Sequence, residues 1–131
     1  MKILVTGAAG FIGFHTSKQL LESGYDVIGL DNLNDYYDIN LKKDRLNILK
    51  KWETFSFHKN NLEDKKEIDR IFQENGPNRV IHLAAQAGVR YSIDHPEIYI
   101  QSNIVGTFHI LEGCRNNKVE HLVYASSSSV Y

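Results

Sequence analysis

Three glycines at a fixed interval, Gly7, Gly10 and Gly13 in VTGAAGFIG, follow a short aliphatic run and lead into a helical pattern. That arrangement suits a phosphate group. Gly7 lets a strand turn sharply, and Gly10 lets the backbone N–H groups at the helix start (Phe11, Ile12) close on a diphosphate. Gly13 lets the helix pack tightly on the sheet beneath. Asp31 ends the second aliphatic run, 24 residues after Gly7, with Asn32 next to it. A carboxylate in that place accepts hydrogen bonds from ribose hydroxyls and repels a 2′-phosphate, which favours NAD over NADP. Without Asp31, the glycines alone would fit an ordinary turn. Near the other end of the chain, Ser126–Ser129 form a run of hydroxyls at a strand end, which by itself reads as loop chemistry.

These residues need a scaffold that brings them to one edge. Short aliphatic runs at 2–6, 26–30, 54–58, 79–84 and 121–125 alternate with helical patterns at 11–23, 39–52, 63–75 and 96–116. Most of the runs are apolar almost throughout, as expected of parallel strands covered on both faces. The alternation predicts an α/β Rossmann-type fold with right-handed crossovers and helices on both faces of a five-stranded parallel sheet. The expected strand order is 3-2-1-4-5, with the crevice between strands 1 and 4. Leu41, Ile48, Leu49 and Trp52 are the expected inward face of the second helix, and its lysines (Lys42, Lys43, Lys50, Lys51) read as a solvated face. Ile100, Ile104, Phe108 and Leu111 share a face of the last helix, with Pro96 in its first turn.

Composition excludes several classes. The chain has 131 residues, 15 Lys+Arg against 16 Asp+Glu, and a formal charge of -1, so it lacks the basic excess of a nucleic-acid binder. No apolar run approaches the roughly 20 residues of a membrane helix, and the start reaches small residues too soon for a secretory leader. Cys114 is the single cysteine, and the six histidines have no ligand spacing, so neither a disulfide framework nor a metal site is expected. The expectation is one cytoplasmic NAD-binding domain over residues 1–131.

Later segments carry a resemblance. G-x-x-G-x-x-G, HLAAQAGVRYS (82–92), N-x-x-G-T (103–107) and YASSSSVY (124–131) resemble the extended short-chain dehydrogenase/reductase family. DNLNDYYDINLKKDRL (31–46) is similar to the matching loop and helix of UDP-glucuronate 4-epimerases and related nucleotide-sugar 4-epimerases. The resemblance implies NAD as cofactor, a UDP-sugar as substrate and a homodimeric parent protein. It implies Ser127 as the catalytic Ser/Thr, with Arg90, Ser128 and Ser129 toward the substrate. It also implies Leu83, Ala84 and Ala85 beneath the cofactor, and Asn61 and Leu62 beside the adenine. Asn103 is the residue it assigns to supporting the end of strand 5 and its loop. Ser128 and Ser129 stand where the 4,6-dehydratase relatives carry an Asp-Glu pair.

The implied activity is interconversion of UDP-glucuronate and UDP-galacturonate through a transient 4-keto sugar. The family's Y-x-x-x-K, its last strands and its substrate domain are expected beyond Tyr131, so these residues read as an N-terminal, cofactor-binding piece, inactive alone. The alternatives are a non-catalytic dinucleotide-binding fragment, or another family member acting on a nucleotide sugar, such as a UDP-glucose or UDP-GlcNAc epimerase or a decarboxylase.

Overall fold

A computed structural model describes residues 1–36 and 38–127 of the chain. The elements run β1 (Lys2–Thr6), α1 (Phe11–Glu22), β2 (Asp26–Asp31), α2 (Ile39–Leu49), β3 (Phe55–Lys59), α3 (Lys65–Asn75) and β4 (Arg79–His82). They continue with α4 (Val89–Asp94), α5 (Pro96–Tyr99), a π-helical stretch (Ile100–Val105), α6 (Gly106–Asn116) and β5 (His121–Tyr124). All strand pairings are parallel, and the sheet order is β3-β2-β1-β4-β5, as the alternation predicts.

Two apolar clusters hold the layers together. Ile3, Val5, Val27, Phe14, Leu21 and Leu49 join the sheet to α1 and α2 on one face. Leu4, Ile28, Val80, Ile68, Ile71, Phe72 and Ile110 join it to α3 and α6 on the other. The core strands are therefore covered on both sides, which explains their unbroken apolar runs. No helix among the described residues is long and apolar enough to cross a membrane.

Two helix faces differ from expectation. In α2 the buried positions are Lys42, Leu46 and Leu49, while Leu41 and Ile48 are exposed. In α6 the inward face is Gly106, His109, Ile110 and Gly113, while Ile100, Ile104, Phe108 and Leu111 point outward. The cause is close approach. A methyl group on Gly113 would stand 2.4 Å from the Phe72 ring, and one on Gly106 would stand 2.5 Å from Leu62 Cβ. Two glycines share the buried side of this helix with His109 and Ile110. Two more boundaries differ. β4 ends at His82 rather than at residue 84, and a short helix, α4, forms where the sequence showed only a loop.

Candidate functional site

The glycine turn is built by hydrogen bonds that bring it against the end of β2. Gly7 N donates to Leu30 O at 2.7 Å, Ala9 N donates to Asp31 Oδ2 at 3.1 Å, and Gly10 N closes back on Gly7 O at 3.0 Å. Gly7 sits at φ +74, where an L side chain is strained, and a methyl group there would stand 3.0 Å from Ala84 N. A methyl on Gly13 would lie 1.9 Å from Gly7 O. Helix α1 then begins at Phe11 with no side-chain cap on its start. Helix geometry leaves the N–H groups of Phe11, Ile12 and Gly13 without intrahelical acceptors, at the positive end of the dipole.

Those N–H groups open onto a cleft of about 540 Å³ along the carboxyl ends of the strands. Gly7, Gly10, Phe11, Ile12, Gly13, Asp31, Asn32, Leu62, Leu83, Ala84 and Ala85 all line it. Asn61 does not. It is exposed, and its neighbour Asn60 lines the cleft instead. Asn60 N donates to Asp31 O at 3.2 Å, which continues the β2·β3 pairing one residue past Lys59 and holds Asn60 beside Asp31. Arg90 is exposed in the first turn of α4 and is not among the lining residues.

Asp31 is buried, and its carboxylate accepts from Ala9 N through Oδ2 and from Leu33 N through Oδ1 at 2.8 Å. A carboxylate offers about four lone-pair directions, so acceptors remain for hydroxyl groups. Lys42 lies beside it, 8% exposed, with Nζ 3.7 Å from Asp31 Oδ1. This corrects the solvated reading of that lysine. Its spacing from Leu46 and Leu49 puts it on the buried face of α2, a signal the charge pattern obscured. Arg45 also lines the cleft, and its guanidinium donates to Ala9 O at 3.1 Å. Neither cation was singled out from the sequence as a site residue.

On the other wall, Thr6 organises the segment after β4. Its Oγ1 accepts from Leu83 N and Ala84 N, both at 3.0 Å, so its own proton goes to His82 Nδ1 at 2.7 Å. The ring therefore carries its hydrogen on Nε2 and donates to Thr107 Oγ1 at 3.0 Å. Burial pushes the His82 imidazole down to about 4, so it remains neutral at pH 7. A neutral ring fits its place, with one acceptor and one donor each satisfied.

Asn103 lies in the π-helical stretch and is not a lining residue. Its side chain grips the backbone of Gln86 from both sides, accepting from Gln86 N at 2.8 Å and donating to Gln86 O at 3.1 Å. Among the described residues, the support it gives is to the segment after β4. Gln86, buried and lining the cleft, was missed in the sequence because a lone Gln in a loop carries no pattern. His109 Nδ1 donates to Leu62 O at 2.7 Å, so α6 also fixes the Leu62 wall.

Ser127 follows β5 and is exposed. Ala125, two residues earlier, lines the cleft and pairs with His82 O at 3.1 Å. Ser128 and Ser129 lie outside the described residues. Among the described residues, no group of three His, Cys, Asp or Glu side chains could hold a metal ion. The site does fit a dinucleotide. It offers free N–H groups for a diphosphate, a glycine cradle that a side chain would fill, and a buried carboxylate with spare acceptors.

Comparison with known proteins agrees with this geometry. Residues 4–131 match a family model described as GDP-mannose 4,6 dehydratase. CapI of Staphylococcus aureus is 53% identical over 131 residues, covering 100% of this chain and 39% of the relative. A UDP-glucuronate 4-epimerase of Thermodesulfobacterium geofontis is 48% identical over 128 residues, covering 98% and 40%. The crystal structure of UDP-glucuronic acid 4-epimerase from Bacillus cereus with UDP-glucuronic acid and NAD superposes with a TM-score of 0.90 at 37% identity. It covers 100% of this chain and 41% of that one. The chain thus spans about two-fifths of the length of the curated relatives it matches. The family model takes in the glycine turn, Asp31 and the whole parallel sheet from Leu4 onward, and the chain belongs to the GDP-mannose 4,6-dehydratase family.

Proposed function

We propose that these residues are the NAD-binding part of a cytoplasmic nucleotide-sugar 4-epimerase that interconverts UDP-glucuronate and UDP-galacturonate. The observation that carries the reading is the pairing of Asp31 with the glycine turn. One buried carboxylate braces the turn through Ala9 N and faces the same cleft as the open start of α1. The first turn of α1 holds the diphosphate. Asp31 accepts from the adenosine ribose, and Leu62 walls the adenine end. Ala84 and Ala85 keep the floor low enough for the far ribose to lie close to the backbone. Ser127, carried to the strand edge by β5, holds the proton at O4 of the sugar. A bound nicotinamide supplies hydride removal at C4 and its return to the other face.

The substrate assignment is supported by the UDP-glucuronate 4-epimerases among the relatives, and by Ser128 and Ser129. With two serines where the dehydratases carry an acid pair, the sequence lacks the groups for eliminating water across C5–C6. Their hydroxyls suit a uronate carboxylate. This part of the protein takes the cofactor. The outward stripe of Ile100, Ile104, Phe108 and Leu111 supports a homodimeric whole protein.

The test is to incubate the full-length protein with UDP-glucuronate and follow UDP-galacturonate by proton NMR. The expected result is an equilibrium mixture of the two uronates without added reductant. Epimerisation of UDP-glucose or UDP-GlcNAc alone would defeat the uronate assignment, and formation of a stable 4-keto-6-deoxy sugar would defeat the epimerase reading.

A further inference from the structure

Asp31 does not meet a ligand as an isolated anion. Lys42 reaches it from α2 with its side chain only 10% exposed, and its Nζ also donates to Asn34 Oδ1 at 3.2 Å. Asn34 in turn donates through Nδ2 to Gln86 Oε1 at 3.3 Å, which links the loop after β2 to the segment after β4. An ammonium has three hydrogens and no acceptor. Asn34 takes one and Asp31 faces a second. Lys42 is itself a cleft-lining residue, so a ligand oxygen is a suitable acceptor for the third.

The electrostatic consequence bears on the choice between NAD and NADP. A bare buried carboxylate would repel a ribose 2′-phosphate strongly, because buried charges are poorly screened. Here the carboxylate shares its space with an ammonium, and the Arg45 guanidinium stands on the same wall. Resting on the reading of this cleft as a dinucleotide site, we propose that Lys42 is its specificity-determining residue. It offsets the charge of Asp31, so that NAD is preferred over NADP by a narrow margin only.

The experiment is calorimetric titration of the 131-residue chain with NAD and, separately, with NADP. The wild type is compared with Lys42→Met, Lys42→Gln and Lys42→Arg, each checked for folding by its thermal melt. For the wild type, a preference for NAD of less than about tenfold is expected, since the Lys42 ammonium offsets the Asp31 carboxylate that repels a 2′-phosphate. In Lys42→Met and Lys42→Gln, NADP binding should weaken by about tenfold or more and NAD binding by less than about threefold, so the preference widens. Lys42→Arg, which keeps the charge, should retain the wild-type ratio. Lys42→Gln keeps an amide donor for Asn34 and serves if the methionine variant does not fold. Equal weakening of both cofactors in the neutral variants would overturn the proposal, since Lys42 would then merely brace Asp31. A wild-type preference above about a hundredfold would overturn it too. Failure of the wild type to bind either cofactor is a different outcome and refutes the dinucleotide reading itself.

Discussion

Gly13→Ala should abolish dinucleotide binding and lower the melting temperature of the chain. The added methyl would sit 1.9 Å from Gly7 O and 2.6 Å from Gly7 C, both backbone atoms of the turn. No rotamer relieves that contact, so α1 must move away from the turn or the turn must open. Overpacking of this kind costs about 1–3 kcal/mol where the surroundings can shift. Here the shift also displaces Phe11, Ile12 and Gly13, which line the cleft and whose N–H groups we propose hold the diphosphate. A loss of NAD affinity of at least about a hundredfold is expected, because positioned donors to an anion are strong and act together. Gly24→Ala is the control. Gly24 has φ +89 but nothing within 4 Å of a new methyl, so it should lose some stability and no affinity. A Gly13→Ala chain that binds NAD as the wild type does would contradict the assigned role of the turn.

Ser127→Ala in the full-length protein should lower turnover by roughly 10- to 1000-fold, the span of general acid–base contributions, while NAD binding stays intact. The geometry limits where this serine can act. β5 pairs with β4 through His82, whose carbonyl accepts from Ala125 N, so Ser126 and Ser127 follow the strand at the carboxyl edge of the sheet. A hydroxyl there is proposed to hold a proton at the sugar, and Ser127 is not among the residues that line the cleft with the first turn of α1. Calorimetry with NAD and a coupled assay on the sugar separate the two effects. Wild-type turnover in the alanine variant would move the role to another serine of the 126–129 run.

Much of the fold was legible because its determinants are local or periodic. The alternation of aliphatic runs with helical patterns gives the parallel sheet, and the glycine triplet with Asp31 places the cleft at its edge. The faces of α2 and α6 were not legible, for one physical reason. Hydrophobic periodicity finds the apolar side of a helix, yet helices that approach a neighbour closely bury small or functional residues instead. Lys42 goes inward because Asp31 and Asn34 receive its ammonium. Gly106 and Gly113 go inward because Leu62 and Phe72 leave no room for a side chain. Phe108 and Leu111 are left facing out, while Ile110 stays in the core.

The supporting residues were harder still. His82 reads as a lone histidine in a strand, and only the structure reveals the path from Thr6 through its ring to Thr107. Asn103 and Gln86 are 17 residues apart, and nothing in their types predicts that one holds the backbone of the other. Asn61 and Asn60 differ by one position, which a motif match does not resolve at a turn. Such contacts depend on where loops close, and loop closure is set by tertiary packing more than by local sequence.

The most direct measurement is amide chemical-shift mapping of the isotope-labelled 131-residue chain during titration with NAD. Saturable shifts are predicted at Gly7, Gly10–Gly13, Asp31–Asn34 and Ala84–Ala85, the two walls of one cleft. Absence of any saturable shift would contradict the account. So would shifts confined to the neighbouring groove lined by Tyr91, Glu97 and Gln101.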